Sequence, residues 1–438
     1  MNINIKNYLI IFFSTLIYFS FFLGFYLGEN SIGSGGYQGD LTWMLKNLEI
    51  YQTNTFFDAI HHPEFFGNRT PLIYILHAYL NPFVSNVDTY RLSVFVLSFA
   101  SPIILYICLV QKFTNTNKKI LFFISSFVLL SPFYRTSAYW GLEVNYAITT
   151  MLLSIYFLNI LQKKKNINNL SSYILISLLT FTSSLCIYFD QKFLIIPLLV
   201  FIYILKSEIK LKFKVYSIIN YSFFSIPFFY LIFLWKGIVP PSTQYANPNT
   251  ITSVSRLNLL WFEHLGYATT MIAFYFLPLV FFKKDNFLIV VRNFFLEKKN
   301  YLFLIPFLIY IIYFTYYVDF YDLTKGNYLM GLGFIHKISL ILFEDVLLQE
   351  IFTCFAFLSS SIIILMFLDK NLNNFLILFY FYFLSLILWP LMQEYFDPII
   401  FLFALTIFSS KLIISYKNST FVFLYLSIFL ICANVYYY

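Results

Sequence analysis

The sequence predicts an all-α, polytopic membrane protein, and three observations carry that expectation. Hydrophobic residues fill 60% of the 438 positions and charged residues only 11%, where soluble domains carry roughly 25% charge. Apolar runs recur along the whole chain, most of them about 17 to 21 residues long, enough to cross roughly 30 Å of hydrocarbon. Lys and Arg collect in the short loops on alternate sides of those runs, as orientation in a membrane requires. Phe, Tyr, Ile, Asn and Lys rise together, as an AT-rich coding sequence produces, so the aromatic share of 23% carries little functional weight.

In chain order the runs lie near 8–27, 90–110, 119–135, 146–161, 172–188, 193–205, 215–235, 265–282, 301–318, 349–368, 375–392, 399–414 and 419–437. That is about thirteen expected spans in a single membrane domain, 1–438. The first is uncharged from Tyr8 to Leu27 and lacks a small-x-small cleavage site, so it reads as a retained span. The stretch from Pro71 to Phe83 is too broken to count, and the pair 172–188 and 193–205 is short enough to be tilted or partly re-entrant.

A cytoplasmic N-terminus puts 19 of the 28 basic residues inside, but only four of the 20 acids: Glu208, Asp285, Glu297 and Asp369. The net charge of +8 is therefore a topology signal that also suits anionic membrane lipids. A nucleic-acid partner would need a basic patch on a solvated domain, and none is visible. The four cysteines, Cys108, Cys186, Cys354 and Cys432, lie in apolar segments without CxxC spacing and read as packing residues.

Chemistry is expected on the outer face, where the only long loops lie: 28–89, 236–264 and 319–348. In the first, Asp40 precedes an apolar series Leu41, Met44, Leu45, Leu48 and Tyr51, the spacing of one face of a helix lying on the membrane surface. Asp40 has two readings, an N-cap or a working carboxylate. Further on, "HHPEFFGNRTPLIYILHAYLNP" brings His61, His62, Glu64 and Arg69 ahead of an apolar run. An arginine there is costly unless it snorkels or meets an anion such as a lipid phosphate.

A carboxylate just after the first span, a juxtamembrane helix and a basic residue followed by Pro-Leu resemble the GT-C superfamily of polyprenyl-phosphate-sugar-dependent glycosyltransferases. The likeness is to the branch with protein O-mannosyltransferases and the lipid A aminoarabinose transferase. It rests on Asp40 and Arg69-Thr70-Pro71-Leu72, where Thr70 replaces a proline usual in that branch. It continues through Tyr90-Arg91-Leu92 and through "SPFYRTSAYWGLEVNYAI", with Glu143 where the family usually has a second outer aspartate. "WKGIVPPSTQ" resembles a loop start in related transferases, and "QEYFDP" a family ending that has lost its arginine.

The resemblance implies a GT-C fold with extracytoplasmic juxtamembrane helices, and transfer of a hexose or pentose with inversion from a polyprenyl-phosphate donor to a glycan, lipid or protein acceptor. A phosphate leaves without a proton if its charge is neutralised, so the protein must supply a base and a cation. Asp40 suits the first role and Arg69 the second, with Glu143 as a further catalytic candidate and Arg91, His61, His62, Glu64 and His264 as substrate contacts. A divalent metal is an open expectation without diagnostic ligand spacing. The expected location is the bacterial inner membrane, with the site toward the periplasm or exterior. The rival readings are a glycan polymerase or ligase, and a lipid or solute transporter or flippase; a transporter should carry ionisable residues inside its spans.

Overall fold

The computed structural model describes residues 3–30, 39–67, 69–164, 170–246, 260–283, 287–325 and 331–437. Among them the regular elements are all helices. Eight are long and apolar enough to cross a membrane, or up to nine if one sharply bent pair counts as a span. Several of the thirteen hydropathy runs are broken or short. The run at 119–135 bends by 69° where Ser131 and Pro132 interrupt it. The helices within 193–205, 265–282 and 375–392 have 12, 17 and 16 residues, and the one within 399–414 stops after eight. Hydropathy measures greasiness and does not register where the backbone turns.

Contacts gather the chain into two compact units, one made chiefly of residues 1–248 with 426–438, the other of 255–425. Unit 1 starts with α1 (Ile3–Leu27), followed by three short helices, α2 (Leu41–Thr53), α3 (Phe56–His61) and α4 (Leu72–Leu80). Next come α5 (Val87–Ser98) and α6 (Ala100–Lys112), which together form one apolar span, and the bent pair of α7 (Lys118–Ser125) and α8 (Pro132–Trp140). The unit continues with α9 (Val144–Lys163), α10 (Leu170–Phe189), α11 (Ile195–Lys206), α12 (Leu211–Trp235) and the short α13 (Pro241–Ala246). α10 packs on α9 and α12, α6 on α9, and α2 on α4.

Polar side chains start many of these helices by accepting from an exposed backbone N–H: Asn86 for α5, Asn117 for α7 and Ser131 for α8. At Ser131 the following proline removes a donor, so the preceding 3₁₀ turn and α8 cannot join as one straight helix. α8 ends at Gly141, which is left-handed with φ +74°; a side chain there would strike the Tyr90 ring at 2.5 Å.

One end of unit 1 is basic. α6, α9 and α11 finish at Lys112, Lys163 and Lys206, and Lys163 donates to the Gln111 carbonyl at 2.5 Å. The other end carries a closed ion pair. Arg135 forks onto Glu29, with Nε to Oε1 at 2.8 Å and Nη2 to Oε2 at 2.5 Å. Its remaining donors reach the carbonyls of Ser20 and Leu129, at 2.8 and 3.2 Å. Asn434 donates to Glu29 and Trp140 to the Glu29 carbonyl, which ties the outlet of α1 to α8 and to the C-terminal helix.

Unit 2 comprises α14 (His264–Val280), α15 (Phe287–Leu296), α16 (Lys298–Tyr317), α17 (Phe320–Lys325), α18 (Gly333–Leu342), α19 (Val346–Phe367), α20 (Leu372–Ile387) and α21 (Ile399–Thr406). The final helix, α22 (Tyr416–Tyr437), begins in unit 2 and ends in unit 1. α14 is central, packed by α18, α19, α20 and α21. Gly266 permits this, because a Cβ there would meet the Phe357 ring at 2.3 Å.

Candidate functional site

The loop from His61 to Pro71 is held in shape by residues far away in sequence. Asn47 of α2 pairs with Phe66 as a peptide would, its amide donating to the Phe66 carbonyl and its oxygen accepting the Phe66 N–H at 3.2 Å. The Thr243 hydroxyl accepts the Gly67 N–H at 2.9 Å and donates to the Gly67 carbonyl at 3.0 Å. Ser242 donates to the Phe65 carbonyl and Thr70 to that of Tyr188. A loop tied at Phe65, Phe66, Gly67 and Thr70 is held on both sides of Arg69.

Arg69 lies between two carboxylates from separate connections. Its Nε is 2.6 Å from Glu143 Oε1, at the start of α9, and 3.4 Å from Asp190 Oδ2, just after α10. Lys192 adds a second cation at 3.1 Å from the same Asp190 oxygen. Glu143, Asp190 and Lys192 are buried, whereas the Arg69 side chain is 27% exposed, so the cluster opens outward through its arginine. Burial alone would raise the Asp190 pKa, but Lys192 and then Arg69 outweigh it and hold the carboxyl below its ordinary range. It is therefore ionised at neutral pH.

Tyr74 of α4 joins this cluster. Burial, then the charge of Glu143, pushes its phenol above the usual tyrosine range, against smaller opposing effects from Asn47 and Arg69. Asp40 acts on it in the same direction as Glu143, so the carboxylate that opens α2 lies within electrostatic reach of the same group. Asp40 is exposed and in helical conformation, and its side chain makes no cap hydrogen bond to α2. The side-chain N-cap reading is corrected: Asp40 already has helical backbone angles, and its carboxylate accepts no N–H of the first turn of α2.

The other expected contacts separate from this cluster. Arg91 donates to the Tyr139 carbonyl at 2.8 Å and stacks over Trp140 at 4.0 Å, which makes it a brace between α5 and α8. Glu64 pairs with Lys46 at 3.1 Å on the exposed side of α2. His61 and His62 line a pocket of about 140 Å³ with Trp235 and Ser242. His264 is buried in unit 2 against the Ser385 carbonyl at 3.0 Å.

Asp190, Lys192, Glu29 and Arg135 have no sequence signal beyond a polar residue at the edge of an apolar run. Asp190 is 121 positions from the arginine it faces. Among the described residues no group of three His, Cys, Asp or Glu side chains is placed to hold a metal ion. Glu143 and Asp190 are directed onto Arg69 and Lys192, and a cation there would have to displace the guanidinium, so the arrangement does not fit a divalent metal. Set against family models, curated proteins and solved structures, the chain matches none.

Proposed function

We propose that the protein is an integral membrane glycosyltransferase of GT-C type, moving a sugar with inversion from a polyprenyl-phosphate donor to a glycan, lipid or protein acceptor on the outer face of the bacterial inner membrane. The observation that carries this reading is the cluster itself: an outward-opening arginine, braced by two buried carboxylates and a buried lysine, at the end of unit 1 away from the terminal lysines. A guanidinium takes phosphate through parallel hydrogen bonds and neutralises it as it leaves. Glu143 and Asp190 orient Arg69, and Lys192 keeps Asp190 charged. Asp40, exposed and bordering the cluster, is the base for the acceptor hydroxyl.

Mass spectrometry of glycolipids and glycoproteins from cells with and without the gene tests the reading. Loss of one defined sugar names donor and acceptor; an unchanged profile refutes it. With the substrate in hand, Asp40→Asn is expected to fold and bind donor normally but to transfer at no more than about a hundredth of the normal rate. Full activity in that variant would move the base elsewhere.

A further inference from the structure

Two sequence stretches far apart, "HHPEFF" from residue 61 and "LWKGIVPPS" from residue 234, meet in unit 1 at the pocket of about 140 Å³. Drug-sized sites run from about 300 to 1,000 Å³, so this one has room for a single small ring. None of its lining among the described residues is an acid, a lysine or an arginine. Its apolar surface comes from Phe65, Trp235 and neighbouring prolines, its polar groups from His61, His62 and Ser242.

The histidines are fixed in opposite senses. His61 Nδ1 lies 2.6 Å from the Phe57 carbonyl, an acceptor, so in the neutral ring Nδ1 carries the proton and Nε2 is a bare acceptor. His62 Nδ1 accepts the Glu64 N–H at 3.3 Å, so its proton is on Nε2, a donor. Each ring has spent Nδ1 on its own loop and can offer a ligand only Nε2. The Ser242 hydroxyl donates to the Phe65 carbonyl and keeps its lone pairs for acceptance.

We infer that this pocket binds one neutral sugar ring, with its C–H face against Trp235 and Phe65 and its hydroxyls on His61, His62 and Ser242. Hydroxyls both donate and accept, which matches one donor beside two acceptors. A charged ring would find no counter-ion in the lining, and a purely apolar ring would leave the polar groups desolvated and unpaired. Phe65 lines the pocket and packs on Tyr74 with ring centroids 5.6 Å apart, so ring pocket and charged cluster share one loop. The inference rests on the transferase reading only for which molecule brings the ring.

The test uses the full chain in lipid nanodiscs and saturation-transfer NMR with neutral methyl glycosides of hexoses and pentoses, against glucuronate and glucosamine as charged controls. At least one neutral glycoside is expected to bind saturably and the controls more weakly. His61→Ala and His62→Ala, both at accessible positions that should not disturb folding, are each expected to weaken binding about tenfold. A short isoprenyl phosphate with and without the same sugar separates the sources. If the ring is the donor's, His62→Ala weakens only the glycosylated form; if it is the acceptor's, neither phosphate responds while the methyl glycoside still does. Absence of neutral glycoside binding, or binding indifferent to both histidines, overturns the pocket. A chain that binds glycosides through the histidines but leaves the cellular glycan profile unchanged keeps the pocket and removes the transferase reading.

Discussion

Arg135 and Arg69 both face carboxylates in unit 1, but their surroundings differ in kind. Arg135 is enclosed, its fork filled by Glu29 and its other donors by carbonyls of α1 and of the turn before α8. Arg69 meets its two carboxylates through Nε and keeps 27% of its side chain exposed, with a second cation buried beside it. A buried pair whose hydrogen bonds are complete is architecture, and apolar replacements of similar volume can match it in stability.

Neutral replacement of each pair as a unit should break or confirm this contrast. Arg69→Met with Glu143→Gln is expected to lower transfer on the order of a hundredfold or more while folded protein is recovered. Arg135→Met with Glu29→Gln should leave transfer per folded molecule near normal. Equal losses of transfer in both double variants would erase the distinction. Removing only one partner of the closed pair is worse for folding: Arg135→Ala leaves the half-buried Glu29 carboxylate without its cation and should cost about 3 kcal/mol in detergent unfolding.

A third, smaller effect depends on pH. His77 of α4 is buried between Asn81 and Tyr146, 2.8 and 2.9 Å from its two ring nitrogens, and burial lowers its pKa from 6.5 to about 4. Below pH 6.5 the unfolded chain takes up a proton that the folded chain refuses, so stability falls as the pH drops, until about 4. The full loss is about 3 kcal/mol, and His77→Gln should flatten that slope in unfolding measured between pH 7 and 4. The Asp190 carboxyl, held below its usual range, would contribute only at still lower pH. An unaltered slope in the variant would assign the acid sensitivity elsewhere.

The smallest expected effect has an unusual sign. Gly→Ala inside a helix ordinarily stabilises by about 1 kcal/mol. At Gly24 of α1 the added carbon would lie 2.3 Å from Glu29 Oε2 and 2.6 Å from Arg135 Nη2. Moving either side chain aside would break the hydrogen bonds of the fork, so Gly24→Ala should destabilise by about 1 to 3 kcal/mol, with transfer per folded molecule intact. A more stable variant would mean the closed pair is looser than it looks.

Much of the first loop was legible because it is local. Periodicity after Asp40 anticipates α2, and the structure buries Leu41, Met44, Leu48 and Tyr51 of the expected face. Ile50, outside that apolar series, is buried as well, and Asn47 sits among them because the chain doubles back and needs its amide. The pairing of Arg69 with Glu143 was not readable, though both residues stood out singly. Asp190 and Lys192 did not stand out at all, since a carboxylate two residues from a lysine at a span end looks like ordinary interfacial polarity. Hydropathy was a good guide to class; of its thirteen apolar runs, eight, or nine with the bent pair, are helices long enough to cross a membrane among the described residues, and others are shorter helices or are interrupted, as at Ser131 and Pro132.

The Thr243 hydroxyl that grips both sides of the Gly67 peptide is 176 residues downstream of it. Chains are made at about 5 to 20 residues per second, so the loop waits on the order of ten to thirty-five seconds for that partner, whereas Asn47 is already present when Phe66 emerges. The half of the loop before Phe66 can thus set early, while the half carrying Arg69 takes its final shape only once α12 has been delivered. The Arg69 half of the loop is thus finished after most helices of unit 1 are in place, while the Glu29 end waits longer still, for Asn434 of the C-terminal helix.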